Sequence, residues 1–188
     1  MRLGNDIVDR AYAGQQHPRF AQRILNTQER LDYESMPRDT EGYDRIWIYW
    51  AAKEAAWKAI QQQRKTLFSP RTFAVDLEQE QVSFEGETLA LRLHVDGDLV
   101  FAEVSDSPWS RVHWRYTQFF SEPTASDQSQ EARRLALSLG VEILGCEEAD
   151  LSVSKVDKIP YLQAEKGQRS WPLSLTHHGR YVAASLTY

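Results

Sequence analysis

The feature that most constrains this chain is a change of hydrophobic period near residue 70. Between about Gly42 and Lys65, the apolar positions Ile46, Tyr49, Trp50, Trp57 and Ile60 recur at helical spacing, which predicts one long helix with one buried stripe. From Phe73 to Phe119 the pattern becomes alternation. Runs over Val82–Phe84, Leu89–Val95, Leu99–Val104 and Val112–Phe119 read as strands, with Glu85-Gly86-Glu87 and Asp96-Gly97-Asp98 as hairpin-turn signals between them. Strands joined so tightly are antiparallel. Helices and strands are therefore segregated along the chain, and an α+β fold follows.

The remaining segments extend this layout. Arg2–Val8 reads as a short strand ending in acidic residues, and His17–Leu25 and Thr27–Ser35 as two short helices. Thr27 is expected to cap the second of these, with Glu29 in its first turn and Arg30 where a capping box needs Glu or Gln. Ser121–Gln130 is rich in Ser, Asp and Gln without apolar periodicity, and reads as a linker. Beyond it the pattern predicts a helix over Gln130–Leu144 and strands over Leu151–Val156, Tyr161–Gln163, Trp171–Leu175 and Tyr181–Thr187. The expected organisation is one lobe over 1–120, a linker over 121–130 and a second lobe over 131–188.

Composition removes several classes. A chain of 188 residues can bury one sizeable core or two small lobes. Its net charge of −5 argues against a nucleic-acid partner, while leaving room for a local basic face. Cys146 has no cysteine partner and reads as a packing residue rather than a nucleophile. No apolar leader or span is visible, so a cytoplasmic protein without membrane contact is expected. No Gly-x-Gly-x-x-Gly or P-loop occurs.

Chemistry concentrates at a few positions. On a helical wheel Lys53 falls in the middle of the aromatic stripe, Glu54 at its edge, and Lys58 one turn beyond Glu54. Charges on an apolar face need a partner, water or a ligand; Glu54 and Lys58 could equally form an ordinary exposed i, i+4 pair. Asp6 and Asp9 follow a strand, where acids often only form turns. Combined with a helix-borne Glu, one of them completes a two-carboxylate oxygen site suited to Mg²⁺ and a phosphate ester. His177 and His178 are adjacent, so in a strand they face different sides and cannot readily share a metal. Either could be a turn residue or a phosphate donor. Arg19 and Arg23 share a helix face, which fits a solvated surface or a partner site.

Taken together, these segments resemble the 4′-phosphopantetheinyl transferase superfamily. Gly4-Asn5-Asp6-Ile7-Val8-Asp9 is similar to its Gly-x-Asp-Ile-Val/Glu motif. Trp50-Ala51-Ala52-Lys53-Glu54-Ala55-Ala56-Trp57-Lys58 is similar to its Trp/Phe-x-x-Lys-Glu-Ala-x-x-Lys motif, and Ser174-Leu175-Thr176-His177-His178-Gly179-Arg180-Tyr181-Val182 resembles Ser-x-Ser-His-x-Gly-x-Tyr/Trp-Val. Pro18–Glu29 also resembles the segment after the first motif in holo-acyl-carrier-protein synthases. The resemblance implies a two-lobed fold with pseudo-related α/β lobes. It also implies transfer of 4′-phosphopantetheine from coenzyme A to a serine of an acyl or peptidyl carrier protein, with release of 3′,5′-ADP. By the same resemblance Asp6 and Glu54 would bind Mg²⁺, and Lys53 and Lys58 would lie at the phosphates. Ser174, Thr176 and His177 would line the coenzyme A site, and Glu54 or a metal-bound water is the candidate base. Arg19 and Arg23 could meet an acidic carrier helix. Val8 stands where surfactin-type members carry a second acid, which leaves the metal more dependent on water. The lobes resemble those of surfactin-type enzymes in swapped order, so one chain would supply the whole cleft and act as a monomeric pseudo-dimer. The alternative is a non-catalytic coenzyme A or carrier-protein binder on the same scaffold.

Overall fold

A computed structural model describes residues 1–13, 19–35, 40–164 and 168–188, with the backbone alone for 40–44. His17 and Pro18, at the expected start of the first helix, lie outside the described residues. Strand β1 (Leu3–Asp9) is followed by helices α1 (Phe20–Ile24), α2 (Thr27–Glu34) and α3 (Thr40–Gln61). Strands β2 (Ala74–Asp76), β3 (Gln81–Phe84), β4 (Glu87–Asp96) and β5 (Leu99–Ser105) complete a first antiparallel sheet in the order β1-β5-β4-β3-β2. Strand β6 (Val112–Gln118), helix α4 (Ala125–Leu144) and strands β7 (Leu151–Val156), β8 (Ile159–Ala164), β9 (Arg169–His178) and β10 (Tyr181–Thr187) form the second lobe. Its sheet runs β6-β10-β9-β8-β7.

Adding five to each strand number of the first order yields the second. Both lobes are one topological unit: a strand, a long helix, and a four-stranded meander that closes back on the first strand. The α+β class and the pair of related lobes agree with the sequence. The boundary does not. β6 pairs with β10, from Val112↔Thr187 to Tyr181↔Gln118, so it belongs to the second lobe and the break lies between Ser105 and Val112. Alternation reveals a strand but not the sheet it joins.

Two helix starts also differ from expectation. Residues 125–130 are not linker but the opening of α4. Thr124 Oγ1 accepts the Asp127 N–H at 3.2 Å, and the Asp127 carboxylate accepts the Thr124 N–H at 3.0 Å, closing a capping box. This part of the helix is polar because it is exposed, which gave it the composition of a loop. In α2 the cap is Asn26 rather than Thr27. Its side chain accepts the Glu29 N–H and its own N–H donates to Glu29 Oε2, both at 2.9 Å. Moved back one residue, the capping box is complete.

Each long helix covers one sheet. The face of α3 that meets the first sheet is built on Ala51, Ala52, Ala55, Ala56 and Ala59, all buried, so backbone approaches backbone. A Cβ on Gly4 would stand 1.9 Å from the Ala55 carbonyl oxygen and 2.6 Å from the Ala59 nitrogen. Leu135, Ala136 and Leu139 of α4 pack against Leu162, Leu173, Val182 and Leu186 in the second core. A third cluster, in which Ile7, Leu99 and Phe101 meet Tyr181 and Ala183, joins the lobes. No described helix is long and apolar enough to cross a membrane.

The junction also solves an edge problem. β1 is the last strand of its sheet, and its outward N–H groups would be left unpaired on burial. Alternate side chains of β9 accept them. Ser174 Oγ takes the N–H of Asn5 at 2.9 Å, Thr176 Oγ1 that of Ile7 at 3.3 Å, and His178 Nδ1 that of Asp9 at 3.1 Å. This period-two ladder fixes β9 against β1 in a single register.

Candidate active site

The ladder brings the three sequence motifs to one place. β1 carries Asp6, α3 carries Glu54 and Lys58, and β9 carries Thr176, His177 and His178. All six line one cavity of about 410 Å³. Its floor includes Ile7, Val8 and Leu175, and an aromatic wall comes from Phe20, Trp47 and Trp50. Phe20 of α1 stacks obliquely on both tryptophans, with ring centroids 5.1 and 5.9 Å away, so the short helix that carries Arg23 forms one side of the cavity.

Lys58 is the electrostatic centre. Its Nζ donates to Asp6 Oδ1 at 2.8 Å and to the Asn5 carbonyl at 3.1 Å, and lies 3.3 Å from Glu54 Oε1. Burial alone would disfavour the ammonium charge, but Asp6 and Glu54 outweigh it and raise the Lys58 pKa. Glu54 is shifted up as well, first by desolvation and then by the Asp6 charge, with Lys58 opposing both. The Thr176 hydroxyl donates to Asp6 Oδ1 at 3.0 Å, so it orients that carboxylate. Burial lowers the pKa of both His177 and His178; Lys58 adds to the effect on His177, whereas Asp9 and Glu54 oppose it on His178.

Two of the expected ligand contacts fall elsewhere. Lys53 is 0% exposed and points away from the cavity. Its Nζ pairs with Glu29 of α2 and donates to the Ile24 carbonyl of α1 at 2.9 Å. Glu29 Oε1 in turn accepts the Val75 N–H of β2 at 2.8 Å. The wheel placed Lys53 correctly inside the apolar stripe, but its partner is a carboxylate 24 residues earlier, not a phosphate. Ser174 is likewise committed to Asn5, accepting its N–H and donating to its Oδ1 at 2.8 Å. It borders a neighbouring hollow of about 440 Å³, which also takes in Trp57, Gln61, Ile159 and Pro160 and shares Lys58 and Leu175 with the cavity. Arg19 and Arg23 are both exposed, at the start and within α1.

Sequence reasoning missed the aromatic wall and the special position of His178. The alternation of Ser174, Thr176 and His178 along an otherwise apolar strand was the available signal. Asp9, treated there as a turn acid, is fully buried, and it receives Arg180 Nε at 2.8 Å and Nη2 at 2.9 Å. That grip holds the Gly179-Arg180 turn, and with it the histidines, against β1.

The repeated topology supplies an internal comparison. Asp6 faces Ala102 in its sheet, and the corresponding residue of the second lobe is Arg115, which faces Ala184. Arg115 bonds Ser138 and Glu142 of α4, at the one-turn spacing that separates Glu54 from Lys58. The charges are inverted there: only the β1–α3 side offers two carboxylates around one cation.

Among the described residues no group of three or more His, Cys, Asp or Glu side chains could hold a metal ion. The fit to a hard divalent cation therefore rests on Asp6 and Glu54. Both already converge on one positive charge, the Lys58 ammonium, and a pair of carboxylates completed by water and phosphate oxygens is an ordinary Mg²⁺ donor set.

Fold and cavity thus define a two-lobed protein with an acidic and cationic cleft between the lobes. The family model of the 4′-phosphopantetheinyl transferase superfamily matches residues 2–129, more than half of the chain, and the protein belongs to that superfamily. Its general activity is phosphopantetheinyl transfer, with coenzyme A and a carrier protein as substrates. Among curated proteins no relative matches the chain. The family match ends before β9, so the contribution of Thr176, His177 and His178 rests on the geometry above.

Proposed function

We propose that this protein is a holo-acyl-carrier-protein synthase type of transferase. It moves the 4′-phosphopantetheine group from coenzyme A to the serine of an apo acyl or peptidyl carrier protein, with Mg²⁺, in the cytoplasm. The observation that carries the reading is the convergence of Asp6 and Glu54 on Lys58 within a cavity that the third motif closes. Asp6 and Glu54 would hold Mg²⁺, which when bound offsets the charge of the coenzyme A pyrophosphate. Lys58 contacts the phosphates, and as it stands where two hollows meet, a pyrophosphate there leaves space on either side for the two ends of coenzyme A. His177 faces the 3′-phosphoadenosine end.

Glu54 accepts the proton of the carrier serine hydroxyl. The serine oxygen bonds to the phosphorus nearest pantetheine, and the bond from that phosphorus to the bridging oxygen breaks. The electron pair departs with 3′,5′-ADP, whose growing charge Lys58 stabilises. Arg19 and Arg23 present positive charge beside the cavity mouth to an acidic carrier helix. Since β1, α3 and β9 of one chain already enclose the cavity, the protein works as a monomer of about 21.7 kDa, which light scattering on a gel-filtration column tests. Activity itself is tested by mass spectrometry of apo carriers incubated with coenzyme A and Mg²⁺. A gain equal to the phosphopantetheine arm is expected; no gain across acyl and peptidyl carriers alike would refute the assignment.

A further inference from the structure

His178 has two ring nitrogens with different surroundings. Nδ1 accepts the backbone N–H of Asp9 at 3.1 Å, the last rung of the ladder that joins β9 to β1. A nitrogen that accepts from an amide N–H carries no proton itself, so the neutral ring has its hydrogen on Nε2. Nε2 has no hydrogen-bond partner among the described residues, although the half-buried ring lines the cavity and lies within the field of Glu54. A ring donor that borders a cavity and has no protein partner is available to a ligand. Its neighbour His177 also borders the cavity but is exposed and makes no such bond to β1 among the described residues.

We propose that His178 is a further substrate-binding residue, whose Nε2–H, oriented by the Asp9 backbone amide, donates a hydrogen bond to a phosphate oxygen of coenzyme A. The proposal rests on the transferase reading for the identity of the ligand. It also assigns what His178 does not do. With its lone pair engaged by Asp9, the ring cannot take the proton of the carrier serine, and its protonated Nε2 is no metal ligand. The contribution is a fixed neutral donor in the cavity that Lys58 also lines, and it adds direction rather than charge.

The two nitrogens can be separated by substitution. Asparagine can keep an acceptor near Nδ1 but does not reach Nε2, whereas glutamine can place a donor near Nε2 and loses the Nδ1 acceptor. In His178→Asn the Kd for coenzyme A, measured by calorimetry without carrier, should rise about 10- to 100-fold, the range for losing a hydrogen bond to a charged group. The melting temperature should stay near that of the parent. His178→Gln should bind coenzyme A within about threefold of the parent and melt earlier. Equal affinity in His178→Asn and the parent, or equal losses in both variants, would overturn the proposal. Nitrogen-15 NMR of the parent protein decides independently of whether either variant folds: a ring protonated at Nε2, with that proton shifting on addition of coenzyme A, is expected. A ring protonated at Nδ1, or no shift, overturns it. If the parent binds coenzyme A but modifies no carrier, the transferase reading fails while these measurements still decide His178.

Discussion

The buried pair of Lys53 and Glu29 allows a sharp test of how the site is supported. Lys53→Met keeps the length of the side chain and removes the ammonium. Glu29 then remains as a carboxylate that is 3% exposed and accepts backbone N–H groups from Asn26 and Val75, without the ammonium that paired with it. Removing one member of a buried ion pair costs about 3–5 kcal/mol, because the other charge stays desolvated. For a chain of this size that corresponds to a fall of roughly 6–20 °C in melting temperature. Glu29→Gln should cost a similar amount, by stranding the Lys53 ammonium against the Ile24 carbonyl alone. The double variant should lose much less than the sum, since neither charge is left behind. Chemical denaturation of the four proteins measures the cycle, and calorimetry well below the transition measures coenzyme A affinity, which Lys53→Met should leave unchanged. An unaltered denaturation midpoint would refute the reasoning. So would a folded Lys53→Met protein with a tenfold loss of coenzyme A affinity, which would return Lys53 to the phosphates.

Other expectations follow from the same geometry. Glu54→Gln should lower kcat about 10²–10⁴-fold with an unchanged circular dichroism spectrum. In the metal-free parent, desolvation and the Asp6 charge raise the pKa of Glu54. A carboxyl with a raised folded pKa favours folding below its unfolded pKa, and that contribution is lost as pH rises through the folded value. Glu54→Gln should accordingly melt higher than the parent at pH 8, and this advantage should vanish near pH 4. Gly4→Ala should cost more than about 3 kcal/mol or prevent folding, since its new carbon meets backbone atoms of α3 that cannot turn aside, as thermal melts will show. Arg19→Glu with Arg23→Glu should raise the KM for the carrier while leaving the Kd for coenzyme A unchanged; an unaltered carrier KM removes both from the interface.

What could be read from the sequence was what short-range patterning encodes. The strands Leu151–Val156 and Tyr181–Thr187 have the expected limits because alternation ends where turns begin. Asp6, Glu54, Lys58, Thr176 and His177 meet in one cavity, as the three motifs implied. Lys53 shows where this approach stops. Its wheel position correctly indicated burial, but a buried charge reveals its need for a partner and not the partner's identity. Glu29 lies on another helix, and the Ile24 carbonyl becomes an acceptor only because α1 ends there. The ladder from Ser174 to His178 was hidden for a related reason. Its acceptors are in one lobe and its donors are backbone groups of the other, and backbone amides leave no signature in composition.

The inverted pair Arg115 and Glu142 carries a consequence for how this protein can change over time. In an assembly of identical single-lobe subunits, every substitution at a cleft is copied into each position at once. Here two versions of one architectural plan are on a single polypeptide, and only one surrounds the acids. Residues of β6 and α4 can therefore drift without altering the chemistry between β1 and α3, and the expected stoichiometry is one coenzyme A per chain. The second half keeps β9 in the cleft, while its β6 and α4 carry the closed Arg115–Ser138–Glu142 cluster where the first half carries the acids.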